Sequence, residues 1–223
     1  MCQACGVAYS ASELQLQLGA EGRRELYARA KQAYRSKNFQ TARRLYCQLA
    51  EDDDQQAAFY ARLSACQLNP GGETDTLLKQ LRLALMQGRA AGPEAYFDFA
   101  SRALGEVIVF ALSVEESYEE AFQSRAQRLE ISSRLTLQKA HQEMQQGAGQ
   151  AWLLMSRAAH LCVGGIDDLS AASSYFWELI EAIIDDLSIN QKRGTIALGN
   201  VAEERAYFES LKEEKQAKKL VNG

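Results

Sequence analysis

The sequence predicts an all-α protein of about nine to eleven helices, and three observations support that prediction. The 223-residue chain contains only two prolines, Pro70 and Pro93, which leaves long segments able to form helices. Apolar residues recur every three to four positions along most of the chain, which is the spacing of one helix face. Short clusters of glycine, asparagine, serine and aspartate separate these segments, as is typical of turns.

The segment from Glu21 to Glu51 predicts two antiparallel helices joined by a tight turn at Ser36-Lys37-Asn38. At about 100° per residue, Leu26, Ala30 and Ala33 share one face of the first helix, and they are small enough for close approach of a second helix. The asparagine of the turn suits the N-cap of that second helix. The second helix, Phe39 to Ala50, has apolar residues at helical spacing: Ala42, Leu45, Tyr46 and Leu49.

The run AYRSKNFQTARRLYCQLAEDD resembles the tetratricopeptide repeat, a pair of antiparallel helices about 34 residues long. The matching positions are Leu26, Ala30, Tyr34, Phe39, Ala42 and Tyr46, whereas Arg29, Leu49 and Asp54 depart from the usual residues. The resemblance implies helical hairpins stacked as a solenoid over residues 19–131. It also implies that the first helix of each pair lines a concave groove.

Later helices follow from the same spacing and from capping residues. We expect them at residues 10–18, 55–68, 74–87, 94–112, from 113 onward, 133–146, 150–163, 168–187 and 197–220. Two of the expected helix ends lie at Ser113, the start of a capping box, and at Gly147-Ala148-Gly149. Residues 1–18 are expected to form a tail and residues 132–223 a C-terminal helical bundle or cap, with a boundary near Ile131-Ser132.

Charge is distributed unevenly along the chain. The net charge is −4, but residues 23–44 hold eight basic and one acidic side chain, and residues 45–120 hold five basic and thirteen acidic ones. No apolar run is long enough to span a membrane, and no secretory leader pattern opens the sequence. We therefore expect a cytoplasmic protein with no membrane association.

The N-terminal sequence MCQACG contains a Cys-x-x-Cys-Gly knuckle at Cys2 and Cys5, which is half of a zinc-ribbon site. Tetrahedral zinc needs two further ligands, and no second Cys-x-x-Cys or paired histidines follow. The sequence therefore argues against an intact zinc site, and we expect no cofactor. The other cysteines, Cys47, Cys66 and Cys162, occur in apolar helical surroundings that favour burial.

The first predicted helix also carries the candidate binding residues. Five long or aromatic side chains adjoin its apolar face: Arg24, Tyr27, Lys31, Tyr34 and Arg35. Cations around two tyrosines suit an acidic or extended peptide, so we predict a protein-interaction scaffold. The competing interpretation is a solvated basic face, or one covered by the acidic middle of this chain.

Two other functions remain open at this level. Nucleic-acid binding would use the same basic segment, although the acidic remainder would repel a polyanion. A small ligand would bind in a pocket among the later apolar helices, near Trp152 and Trp177. Neither His141 nor His160 has a motif partner, and the sequence lacks known nucleophile, zinc-protease and phosphate-loop motifs. We therefore predict that the protein is not an enzyme.

Overall fold

The computed structural model describes residues 19–70, 74–128, 134–165, 171–192 and 201–221. These ranges form eight α-helices and contain no β-strand, which confirms the predicted all-α class. The helices are α1 (Ala20–Arg35), α2 (Phe39–Ala50), α3 (Gln55–Leu68), α4 (Thr74–Ala90), α5 (Pro93–Arg128), α6 (Arg134–Gly164), α7 (Ser174–Lys192) and α8 (Val201–Val221). The short helix expected at residues 10–18 lies outside the described residues. None of the described helices combines the length and the hydropathy that a membrane span requires.

The chain divides into two compact units within α5, between Phe99 and Ala100. We call residues 1–99 unit 1 and residues 100–223 unit 2. The boundary that the sequence suggested, near Ile131-Ser132, falls on residues outside the described ranges. The first two turns of α5 pack within unit 1. For example, the ring of Phe99 lies against the ring of Phe59, with centroids 5.8 Å apart.

The first hairpin of unit 1 forms as the sequence predicts. Helix α1 ends at Arg35, and Lys37 adopts a left-handed φ of 59° that reverses the chain direction. The Asn38 side chain then accepts a hydrogen bond from the backbone N–H of Thr41 at 3.2 Å, which caps α2. The apolar faces of both helices are buried, including Leu26, Ala30, Ala42, Leu45, Tyr46 and Leu49.

Polar side chains fix the junctions that follow in unit 1. Asp54 accepts from the backbone N–H of Ala57 at 3.0 Å and caps α3. Between α3 and α4, the Gln80 amide donates to the side-chain oxygen of Gln55 at 2.8 Å, and Gln87 accepts from the Gln55 backbone N–H at 3.0 Å. Successive helices from α1 to α4 therefore pack against one another as neighbours.

Unit 2 contains much longer helices than the sequence indicated. Helix α5 spans 36 residues and α6 spans 31 residues, because neither Ser113 nor the glycines at 147 and 149 end a helix. The Ser113 hydroxyl donates back to the Phe110 carbonyl at 2.7 Å inside α5 instead of capping a new helix. These two continuous helices account for most of the difference between eight helices and the expected nine to eleven.

Within the helix expected at residues 168–187, α7 buries apolar side chains at helical spacing: Phe176, Ile180, Ile183 and Ile184. The Ser173 hydroxyl accepts from the backbone N–H of Phe176 at 3.2 Å and caps α7. The buried side chains of α6, including Met155, Ala158 and Ala159, complete the apolar interior of unit 2.

Candidate functional site

Three of the five predicted binding residues form an exposed cationic strip on α1. Arg24, Lys31 and Arg35 are all exposed, and their spacing of seven and four residues places them on one side of the helix. Arg24 and Arg35 are separated by about 16 Å of helix axis. We call these three residues the basic strip. Ala28 lies between Arg24 and Lys31 on the same side, so no bulky side chain interrupts the strip.

Tyr27 is not available for binding in the way the sequence suggested. Its side chain is half-buried, and its hydroxyl donates a hydrogen bond to Asp54 Oδ2 at 2.8 Å. Burial, reinforced by the neighbouring Asp54 carboxylate, raises the pKa of the Tyr27 phenol above its ordinary value of 10.0. Tyr27 therefore stays protonated and links α1 to the first turn of α3.

Tyr34 is a core residue rather than a surface residue. Only 8% of it is exposed, and its ring contacts Phe39 and Tyr60 edge to face, at centroid distances of 5.4 and 6.1 Å. The prediction that both tyrosines lie on an open face beside the cations is wrong. The reason is that Tyr60 of α3 and Asp54 at its N-cap contact these tyrosines, and the sequence of α1 alone does not show which distant side chains will reach it.

Among the described residues, aspartates that follow α2 form ion pairs with one arginine of α1 and with no cation of the basic strip. Arg23 binds Asp52 Oδ2 through Nη1 at 2.8 Å and Asp54 Oδ2 through Nη2 at 3.0 Å. Within the described ranges, no hydrogen bond or ion pair of a side chain involves Arg24, Lys31 or Arg35. Among the described residues, acidic side chains of this chain therefore pair with Arg23 and with none of the basic strip, so the competing interpretation applies to Arg23 in that part of the chain.

A second basic surface lies on α2, beside a hollow of about 400 Å³. The described residues that line this hollow are Gln40, Thr41, Arg43 and Arg44. Arg44 is exposed, whereas Arg43 is half-buried. Unit 1 thus presents cations on both helices of its first hairpin, which suits recognition of carboxylate or phosphate groups.

The structure also brings together three residues of unit 2 that sequence reasoning missed. Glu204 on α8 accepts a hydrogen bond from the Ser156 hydroxyl at 3.0 Å, and its other carboxylate oxygen lies 2.9 Å from His160 Nε2. Ser156 and His160 are one turn apart on α6, so Glu204 links α6 to α8. In a catalytic triad the histidine accepts the serine proton. Here the serine donates to the glutamate instead, and we describe this cluster as an interhelical link.

The possible metal ligands Cys2 and Cys5 lie outside the described residues. Elsewhere, a search of the described part of the chain finds no group of three or more histidine, cysteine or carboxylate side chains close enough to hold a metal ion. Cys47, Cys66 and Cys162 are buried, as their apolar surroundings predicted.

A scan of the chain against protein-family models gives no match, and comparisons with curated proteins and with solved structures give none either.

Proposed function

We propose that unit 1 is a protein-interaction module whose basic strip binds an acidic, extended peptide of another protein. The proposal includes the assignment of the first hairpin to the tetratricopeptide class, in which the side of α1 next to α3 belongs to the concave face. One observation carries the proposal: Arg24, Lys31 and Arg35 are exposed and have no acidic partner among the described residues, whereas the adjacent Arg23 has two.

The physical argument is electrostatic and geometric. A guanidinium binds a carboxylate through two parallel hydrogen bonds, and two such groups at the ends of the strip fix the direction of a bound chain. An extended peptide advances about 3.3 Å per residue, so the strip of about 16 Å spans about five residues. Acidic side chains at alternate positions of such a peptide lie on one side and reach all three cations.

Peptide binding fits the site better than nucleic-acid binding. Stacking of bases requires an exposed aromatic face, and Tyr34 is buried while Tyr27 is held by Asp54. Without those rings the strip offers charge only, at three positions. The acidic side chains that follow α2 also oppose a long polyanion.

The test is charge reversal at Lys31 and Arg35, measured by fluorescence anisotropy with a labelled ten-residue peptide of alternating glutamate and alanine. Reversal of both charges should weaken binding by at least about tenfold, because two attractive pairs become repulsive. Added salt should weaken binding to the unmodified protein as well.

The matched control reverses Lys79 and Arg82, an exposed lysine and arginine on α4. This variant has the same net charge as the test variant but leaves the basic strip unchanged. It should therefore retain the affinity of the unmodified protein. Equal weakening in both variants would show that net charge, not the strip, attracts the peptide. Tighter binding of single-stranded RNA than of the acidic peptide, lost in the strip variant, would favour the nucleic-acid alternative.

A further inference from the structure

A small cleft between α7 and α8 in unit 2 has an apolar floor and a charged rim. Its volume is about 200 Å³. The floor consists of Trp177, Ile180, Ile184 and Phe208, each less than a tenth exposed. Three of these side chains come from α7 and Phe208 comes from α8, so both helices contribute an aromatic ring to an apolar floor, which suits a flat apolar group.

The rim of the cleft is predominantly acidic. Its described charged residues are Glu181, Asp185, Glu209 and Arg205. Arg205 Nη2 on α8 lies 3.3 Å from Asp185 Oδ1 on α7, so this guanidinium is offset by one carboxylate. Glu209 is exposed and has no ion-pair partner within the described part of the chain. The described rim therefore has an excess of negative charge beside an apolar floor, and its electrostatic complement is a cation with an apolar body.

The size of the cleft restricts that cation further. A cavity of about 150 Å³ is large enough for a benzene molecule. A cleft of 200 Å³ therefore has room for one aromatic ring and a short alkyl chain. The ring would occupy the floor, where Trp177 and Phe208 lie, and the chain would extend to the rim.

We propose that this cleft binds a small arylalkylammonium ion, with the ring against Trp177 and Phe208 and the ammonium group against the rim carboxylates. The two contributions are distinct. The floor removes the ring from water, and the carboxylates accept hydrogen bonds from the ammonium group. Arg205 opposes the cation, so its loss strengthens binding while the loss of a carboxylate weakens it.

The test uses phenethylamine, which is protonated at neutral pH, and isothermal titration calorimetry on the full chain. The expected dissociation constant is on the order of 0.1–1 mM for a ligand of this size. Phenethyl alcohol should bind several-fold more weakly, and 3-phenylpropionate should bind more weakly than the alcohol. No measurable binding of phenethylamine, or equal affinity for the amine and the carboxylate, would overturn the proposal.

Variants with opposite expected effects separate ligand binding from a general loss of structure. The double variant Asp185→Asn with Glu209→Gln should weaken phenethylamine binding by about tenfold, whereas Arg205→Gln should strengthen it several-fold. All three positions lie on the rim, and the Arg205 and Asp185 side chains are 42% and 71% exposed, so folding should be little affected.

The matched control is Glu178→Gln with Glu203→Gln. These two carboxylates are exposed on the same two helices but do not line the cleft. The control removes the same charge as the Asp185 and Glu209 variant and should leave phenethylamine affinity unchanged. Weakening by the control as large as by the rim variant would overturn the proposal, because it would show attraction to the whole unit.

Discussion

The helices of the two units differ in length and in their response to residues that commonly start or end helices. In unit 1, α1 to α4 are 12 to 17 residues long, and polar side chains at the turns cap α2 and α3. In unit 2, α5 and α6 continue through residues that commonly end helices, namely Ser113, Gly147 and Gly149. The comparison shows that local capping sets helix length where helices are short, and that packing of long apolar faces overrides the same local residues.

The largest expected effect comes from removing Asp54, the cap of α3 in unit 1. Asp54→Ala should lower the free energy of unfolding by about 2–3 kcal/mol, because it removes the α3 cap, the acceptor for Tyr27 and one ion pair of Arg23. Urea titration followed by circular dichroism measures the change.

Its control is Asp52→Ala, which removes the other carboxylate bound by Arg23 but no cap. The Asp52 side chain is 55% exposed, so the expected loss is below about 0.5 kcal/mol. Equal losses in the two variants would show that unit 1 does not depend on the cap and its hydrogen bond from Tyr27.

The close packing of α6 against α5 is tested at Gly147 of α6. A Cβ at this position would overlap the ring of Tyr118 on α5, whereas a Cβ at Gly149 would meet no atom within 4 Å. Gly147→Ala should destabilise by about 1–2 kcal/mol, because overpacking outweighs the gain in helix propensity. Gly149→Ala should instead stabilise by up to about 1 kcal/mol.

Tryptophan fluorescence during urea unfolding measures both glycine variants, since the two tryptophans of the chain, Trp152 and Trp177, lie in unit 2. Stabilisation by both alanines would contradict the close approach of α5 and α6 at Gly147.

The link between α6 and α8 should contribute less than the packing of α5 on α6. Glu204→Ala removes the acceptor of the buried Ser156 hydroxyl and the partner of His160, so we expect a loss of about 1 kcal/mol. Glu203→Ala removes an exposed carboxylate one position earlier and should be neutral within about 0.5 kcal/mol. The same fluorescence titration distinguishes them, and a neutral Glu204 variant would mean that the link adds nothing to stability.

The last expected effect, similar in size to that of Glu204→Ala, is a pH dependence of unit 2 that arises from Cys162. Complete burial raises the pKa of the Cys162 thiol from 9.0 to about 12. A raised pKa in the folded state contributes stability that is fully present below pH 9 and is lost as the pH rises towards 12. Between pH 9 and pH 10 the loss from this group should be about 1 kcal/mol.

The Cys162→Ala variant should lack that part of the pH dependence when urea midpoints are measured by fluorescence at pH 8, 9 and 10. Tyr27 in unit 1 has the same sign, since its pKa is also raised, but its contribution is lost only above pH 10. An unchanged slope in the Cys162→Ala variant would contradict this assignment.

The parts of the fold that could be predicted from the sequence are those determined by neighbouring residues. Asn38 bonds a backbone N–H only three positions away, so the first hairpin was predictable. The apolar stripe of α7 was predictable for the same reason, because its period of three to four residues is local.

The errors concern contacts between residues that are distant in sequence. Burial of Tyr34 depends on Tyr60, and the state of Tyr27 depends on Asp54, which is 27 residues away. Gly147 lies inside α6, where the ring of Tyr118, 29 residues away, leaves no room for a side chain. The exposure of the basic strip follows from the helix wheel alone, because its three cations lie away from the apolar face of α1.

Asp54 limits how modular the first two hairpins can be. The Asp54 carboxylate caps α3 and also accepts hydrogen bonds from two side chains of α1, Arg23 and Tyr27. The α1–α2 hairpin could not be deleted, duplicated or exchanged apart from α3 without separating these groups. Any such rearrangement would require both partners of Asp54 to be carried along or rebuilt in the new neighbour.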